Sequence, residues 1–293
     1  MKTRREFLVA APAGIFAASA FLDAAAEPRG VRIGCQTNAW RIDPNDFNQV
    51  LAVLRQLKTL GFEGFETGFR NVQGQFSIAA PARKQIEQTG LQFFAVHVFL
   101  EEYDVRTRIA PMELVRKVAD GAIALGAERL ILSGGGLVKD GKLGLEVLKN
   151  KADGLNGAGK YCRSKGLRLA YHNHGPEFAR DGLEIEGLYR ETDPALVEFV
   201  TDCGWAWRGG ANVPAFFAAH HKRIAGLHLR DFKGDTQVPL GQGEFPLALL
   251  AAEIKKANWT GWVLNEEERL SGEKPGERAV APARQALRQA LGK

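Results

Sequence analysis

Two histidines, an asparagine and a glutamate crowd the segment Tyr171–Phe178 (YHNHGPEF), which follows directly on an apolar run ending LRLAY. Imidazole nitrogens mixed with carboxylate oxygens suit Mn, Zn, Co or Fe, whereas an all-oxygen set would suit Mg or Ca. Three other apolar runs end in the same chemistry: VEFVT in Asp202, IAGL in His228 and WVLN in Glu266. With His172 these make a four-residue set able to hold one divalent ion. Taken singly, each has an ordinary alternative. Asp202 could cap the next helix, His228 could bond a core carbonyl, and Glu266 could pair with an arginine at a rim. Their common placement at the ends of successive runs argues for a site.

The elements that must position them are strands. Eight short apolar or β-branched runs start at residues 31, 62, 91, 129, 167, 197, 224 and 262, each separated by room for one helix and two loops. Helical patterns such as FNQVLAVLRQLKTLG and PMELVRKVADGAIALG fill the gaps, and Gly61, Gly126 and Gly166 stand where a left-handed helix C-cap is wanted. Strand and helix alternating eight times means parallel strands with right-handed crossovers. The expectation is an α/β fold: a (β/α)8 TIM barrel, one domain over residues 27–293. A doubly wound sheet is disfavoured because no Gly-x-Gly-x-x-Gly follows the first strand, and SGGG at 133–136 lacks that spacing. Barrel chemistry sits at the C-terminal strand ends. Here six of eight end in ionisable residues: Glu66, His97, His172 to His174, Asp202, His228 with Arg230 and Asp231, and Glu266 to Glu268. Strand alternation places Ala170, His172 and His174 on one face and Tyr171 and Asn173 on the other.

Around such a site the sequence offers groups for a polyhydroxy substrate. Trp205 or Trp207 could stack on a sugar ring or pack under the next helix. Asn173, Glu66 and His97 could bind hydroxyls, and Arg230 could bind an oxyanion or pair with Asp231. The segment PLGQGEFP, 239–246, reads either as a glycine-hinged cover or as a plain connection. The bases able to remove a proton beside a carbonyl are Glu266, His174 and Glu177, in that order of preference.

The motifs LAYHNHGPEF, DCGWAW, LHLRDF, GQGEF and WVLNEEE resemble those of the xylose isomerase-like barrels, the sugar phosphate isomerase/epimerase superfamily. The likeness is specific from Leu167 to Glu268 and looser before it. It implies one divalent metal held by Asp202, His228 and Glu266, with His172 where many members have a glutamate. It also implies an isomerase or epimerase acting on a free or keto-sugar through an enediolate. Epimerases of this superfamily use two metal-bound glutamates as opposing acid and base, and here only Glu266 remains, with Glu177 as a candidate to fill the gap. The alternatives are a 3-keto-glycoside lyase or dehydratase on the same scaffold, or a carbohydrate-binding barrel without catalysis. The superfamily's endonuclease branch needs a trinuclear zinc cluster, for which six histidines are too few.

Ahead of the barrel, Arg4-Arg5 followed by Phe7-Leu8, an alanine-rich apolar run to Leu22 and Ala24-Ala25-Ala26 resemble a twin-arginine signal peptide over residues 1–26. The expected partner there is the twin-arginine translocase, and the expected destination is the periplasm. Sugar phosphates are cytoplasmic, so export points to an unphosphorylated carbohydrate substrate. The net charge of +5 comes without a basic block, so no nucleic-acid partner is expected. Cys35, Cys162 and Cys203 are odd in number and irregularly spaced, which fits buried thiols rather than a disulfide framework. Oligomeric state stays open.

Overall fold

The computed structural model describes residues 30–99, 104–268 and 271–293. The signal-peptide expectation for 1–26 lies outside them. Among the described residues are ten strands: β1 Arg32–Gln36, β2 Gly64–Gly68, β3 Gln92–Val98, β4 Arg129–Ser133, β5 Arg168–His172, β6 Val197–Asp202, β7 Ile224–Leu229, β8 Asp231–Lys233, β9 Thr236–Val238 and β10 Trp262–Asn265. Eight of them close a parallel barrel in the order β1-β10-β7-β6-β5-β4-β3-β2, and β8 and β9 form a small antiparallel hairpin after β7. All eight barrel strands lie where the apolar runs predict them.

The outer layer is α1 Phe47–Thr59, α2 Ala79–Glu87, α3 Met112–Leu125, α4 Leu145–Ser164, α5 Ala179–Glu191, α6 Cys203–Arg208, α7 Val213–His220, α8 Leu247–Lys256 and α9 Glu277–Leu291. Helix α1 shows why these segments coil. Asp46 caps it by accepting from the Asn48 amide, and Val50, Leu51, Val53, Leu54 and Leu57 form the stripe it buries on the strands. The three C-cap glycines have φ of +82° (Gly61), +87° (Gly126) and +80° (Gly166), a region that penalises a Cβ.

Two cores result. The larger lies between strands and helices and takes outward-facing side chains such as Tyr171 and Leu130. The smaller fills the barrel: Phe94, Ala95, Ile131, Ala170, Val200, Trp262 and Leu264. Trp262 and Phe94 meet with ring centroids 5.5 Å apart and take most of the central volume. Facing strands give way to them, and a Cβ at Gly64 would overlap the Trp262 ring and the Gln92 carbonyl.

This plug sets the height of the site. Two residues further along each strand the side chain again points inward, so Gly64, Ala95, Ile131, Ala170, Val200, Gly226 and Leu264 are followed by Glu66, His97, Ser133, His172, Asp202, His228 and Glu266. That polar layer rests on an apolar floor, and all seven residues are at most 2% exposed. Gly64→Ala should therefore lower unfolding stability by about 1–3 kcal/mol through overpacking against Trp262. Urea unfolding reads this, and an unchanged midpoint would mean the plug has slack.

Candidate metal centre

His172 at the end of β5, Asp202 at the end of β6, His228 in β7 and Glu266 just after β10 each offer one ligand atom, and these atoms all lie within 4.8 Å of one another. The four sequence-predicted ligands are thus brought together by the barrel register, which pairs Asp202 with His228 and Leu264 with His228. Local sequence fixes their directions. Asp202 turns one oxygen, Oδ1, to cap α6 through the Trp205 amide at 2.9 Å and leaves Oδ2 facing the centre. Arg230 runs alongside, its Nε 2.9 Å from Asp202 Oδ2 and its Nη2 2.6 Å from Glu266 Oε2. Gly204 makes room for it, since a Cβ there would strike the Arg230 side chain.

The donor set passes a test of fit to a divalent ion. His228 Nδ1 is buried without a hydrogen-bond partner, and Asp202 Oδ2 and Glu266 Oε2 have Arg230 beside them but make no well-aligned hydrogen bond. His228 Nδ1 and Glu266 Oε2 are only 2.7 Å apart, yet they miss hydrogen-bond geometry. His172 approaches Asp202 Oδ2 through Nε2 at 3.9 Å, and once the proton between His228 and Glu266 is displaced the four side chains can share one cation. Two carboxylates and two imidazoles suit a transition metal or zinc.

Electrostatics bear on the same point. Burial, then His228 and His97, hold the His172 imidazole well below its usual range, so it is a neutral donor. Burial raises Glu266, but Arg230 and His228 outweigh it and keep the carboxylate ionised, well below the usual range. Burial lifts Asp202 to about 6 against the pull of Arg230. His228 is the opposite case: burial disfavours its charge, but Glu66 and Glu266 raise it to about 10. A metal bound at Nδ1 must displace that proton, so acid weakens binding.

The remaining sequence-predicted residues fall into two groups. His174 lies one pleat above His172, ring centroids 5.1 Å apart, half-buried at the mouth, and burial brings it to about 4. Trp205 is also half-buried at the mouth and tilts against Phe232 at 5.5 Å. The others are committed inside the protein. Asn173, read above as a hydroxyl partner, instead clamps β5 to β6, accepting from the Asp202 amide at 3.0 Å and donating to the Asp202 carbonyl at 3.2 Å. Glu66 and His97 are fully buried and bonded to each other at 2.9 Å, beneath the mouth. Arg230 pairs with Asp202 and Glu266. Its sequence neighbour Asp231 instead accepts the amides of Phe232, Gly241, Gly243 and Phe245 at 2.8 to 3.0 Å. The 239–246 segment is therefore pinned by a buried carboxylate, and it is pinned again where Leu240 donates to Glu267 at 3.0 Å. A free hinge does not fit those bonds.

Glu177 turns away from the ligands. Alternation sends Tyr171 outward, and its hydroxyl donates to Glu177 Oε1 at 2.8 Å while Oε2 accepts the His174 amide at 3.2 Å. Beside this pair lies a buried ion pair, Lys151 with Glu184 at 2.7 Å, and Lys151 also donates to the Gly135 carbonyl. The fully buried Lys151 and Glu184 escaped sequence reading because nothing in a helical heptad marks a lysine as inward-facing. Gln36 and Ser133, which end β1 and β4, escaped because they carry no charge. The signal was their register, which the ionisable ends share. Asn38, donating to Glu266 Oε1 at 3.2 Å, carried no signal at all.

Fold and site together define a parallel (β/α)8 barrel with a buried two-imidazole, two-carboxylate centre at its C-terminal mouth. Residues 54–290 match the family described as xylose isomerase-like TIM barrel, and the chain belongs to that family. Among curated relatives, an inosose dehydratase of Bacillus anthracis (strain CDC 684 / NRRL 3495) is 24% identical over 278 residues, covering 81% of this chain and 90% of its own length. An inosose dehydratase of Clostridium beijerinckii is 24% identical over 272 residues, covering 76% and 83%. Among solved structures, the IOLI protein with a binding zinc atom superposes with TM-score 0.72 at 16% identity, covering 89% of this chain and 98% of the other. The E. coli 3-keto-D-glucoside 4-epimerase YcjR does so with TM-score 0.65 at 14% identity, covering 90% and 100%.

Two measurements follow from the buried groups behind β5. Lys151→Met strands the Glu184 charge, so stability should fall by about 3–5 kcal/mol in urea unfolding. A loss below about 1 kcal/mol would show that Glu184 finds water. Burial raises Glu177 to about 7, with Lys151 opposing and Glu184 adding to the rise. Its folded pKa exceeds its unfolded one, so its contribution is full at acid pH and is lost as the pH rises towards 7. Glu177→Gln should flatten that part of the stability–pH curve, and an unaltered slope would assign it to another group.

Proposed function

We propose that this protein is a metal-dependent lyase of unphosphorylated keto-sugars or keto-polyols, removing water across the bond next to a ketone. The observation that carries the reading is the composition of the centre: Glu266 is the one glutamate in the four-ligand set, and His172 supplies nitrogen on the opposite side. Inverting a carbon through an enediolate needs an acid and a base on opposing faces. Eliminating water on one face needs a single carboxylate. The similarity to inosose dehydratases supports the same choice.

A divalent ion, when bound, supplies Lewis-acid polarisation of the substrate carbonyl and so acidifies the adjacent C–H. His172, Asp202, His228 and Glu266 would hold it. Arg230 keeps Glu266 ionised and therefore able to accept the proton from carbon. The same carboxyl returns that proton to the departing hydroxyl on the next carbon. Water leaves, a C=C bond forms and the base is regenerated. His174 is a neutral imidazole at the mouth, placed to donate an N–H hydrogen bond to the substrate. The apolar floor of Trp262 and Phe94 keeps water from entering beneath.

The experiment is turnover in D2O of 2-keto-inositol and of 3-keto-glucosides, followed by ultraviolet absorbance and mass spectrometry. The expected outcome is growth of a conjugated chromophore with loss of water. A deuterium-labelled epimer without water loss would instead establish the epimerase reading, which the fold similarity to the 3-keto-D-glucoside 4-epimerase favours. Absence of both reactions in metal-loaded protein would leave a carbohydrate-binding barrel. Asp202→Ala and His228→Ala should each abolish bound metal, read by plasma mass spectrometry, whereas His174→Ala should keep the metal and lose about 10²-fold or more in kcat. Stoichiometric metal in both ligand variants would overturn the site. Export to the periplasm through the twin-arginine translocase belongs to the same proposal. Replacing Arg4 and Arg5 by lysine should leave the full-length precursor in the cytoplasm on cell fractionation.

A further inference from the structure

Glu66 divides its two oxygens between two histidines. Oε2 lies 2.7 Å from His228 Nε2 and Oε1 lies 2.9 Å from His97 Nδ1, and all three side chains are fully buried. A carboxylate only accepts, so both ring nitrogens donate to it. Each ring is thereby left with its other nitrogen to offer. For His228 that is Nδ1, the buried atom without a hydrogen-bond partner that faces the Glu266 carboxylate. For His97 it is Nε2, which meets Ser133 Oγ at the end of β4.

The backbone is arranged to deliver this carboxylate. Two positions beyond Gly64 it points inward by alternation on β2, and the extra residue in the β2–β3 register, Phe94, lies on β3 and fills the floor beneath it. The strand order sets β2 apart from β7 by β1 and β10, so Glu66 reaches His228 through the barrel interior and not along the sheet. His97 cannot swing away, because it stacks on Phe99 at 4.1 Å and meets the edge of His172 at 4.9 Å. One oxygen of Glu66 is thus held by a fixed ring while the other holds the ligand.

We propose that Glu66 is the positioning residue of the centre: it fixes His228 as the Nδ1 ligand by taking its Nε2–H, and His97, held by Ser133 at its far end, fixes Glu66. The proposal rests on the metal reading above and adds to it a residue from the opposite side of the barrel. Without the carboxylate the imidazole is free to flip and present either nitrogen. Outer partners of this kind typically change metal affinity by about 10- to 100-fold.

The test uses the full chain and Zn²⁺ alone. Affinity is read by competition with a chromophoric chelator, and ring tautomers by long-range ¹H–¹⁵N correlation of the zinc-loaded, ¹⁵N-histidine-labelled protein. Wild type is expected to show His228 protonated at Nε2 and bound through Nδ1. Glu66→Gln should weaken Zn²⁺ by about 10- to 100-fold and mix the His228 tautomers. Ser133→Ala, which leaves the Glu66–His228 bond in place, should keep most of the affinity. Wild-type affinity in Glu66→Gln, or wild-type His228 bound through Nε2, would overturn the proposal. Should Glu66→Gln fail to fold, the wild-type spectra decide on their own. If wild type takes up no Zn²⁺, the metal reading fails separately, and the His97 tautomer then decides the positioning role: Nδ1–H sustains it and Nε2–H overturns it.

Discussion

The structure depends on charges that have been taken out of water and must answer one another. Glu66, Asp202 and Glu266 lie at most 1% exposed within one barrel layer, and Arg230 and His228 are the cationic groups set among them. An unpaired ion at this depth would cost several kcal/mol, so each member holds the next in place. The chain of contacts crosses the barrel from β2 through His228 to Glu266 and on through Arg230 to Asp202. A divalent cation would keep that balance: it displaces the His228 proton, and three carboxylates then face Arg230 and the doubly charged ion. Elsewhere a layer so polar would be a defect. On the apolar floor of Trp262, Phe94 and Leu264 it is a preorganised electrostatic site.

Rigidity follows from the same bonds. Asn173 ties the His172 and Asp202 strands together across their backbones, and Asp231 gathers four amides of the following loop onto one carboxylate. Polar side chains that could have bound substrate are spent on geometry. His174 and Trp205, both half-buried, are the side chains left at the mouth above the buried ligands. This division suits the lyase reaction proposed above, in which a single carboxylate moves a proton over a short distance. The acid–base group must stay put while the substrate's own bonds rearrange.

The sequence by itself determined the barrel and the four-residue centre. Strand periodicity is local, since β-branched and apolar runs bounded by glycine-capped helices need no distant partner to be recognised. His172, Asp202, His228 and Glu266 were legible because each ends such a run, and register then places equal positions at equal height. What the tertiary structure decided was who pairs with whom. Arg230 and Asp231 are adjacent in the chain, yet strand alternation sends one inward to the carboxylates and the other out to the 239–246 loop. Glu177 is three residues from His174, yet it turns behind β5 to Tyr171 because that strand's outward face is where a buried lysine and glutamate already wait. Glu66 and His228 are 162 positions apart, and only closure of the sheet brings them within a hydrogen bond. Contacts through a barrel interior depend on shear and on the volume of the plug beneath, and neither is written in any one segment.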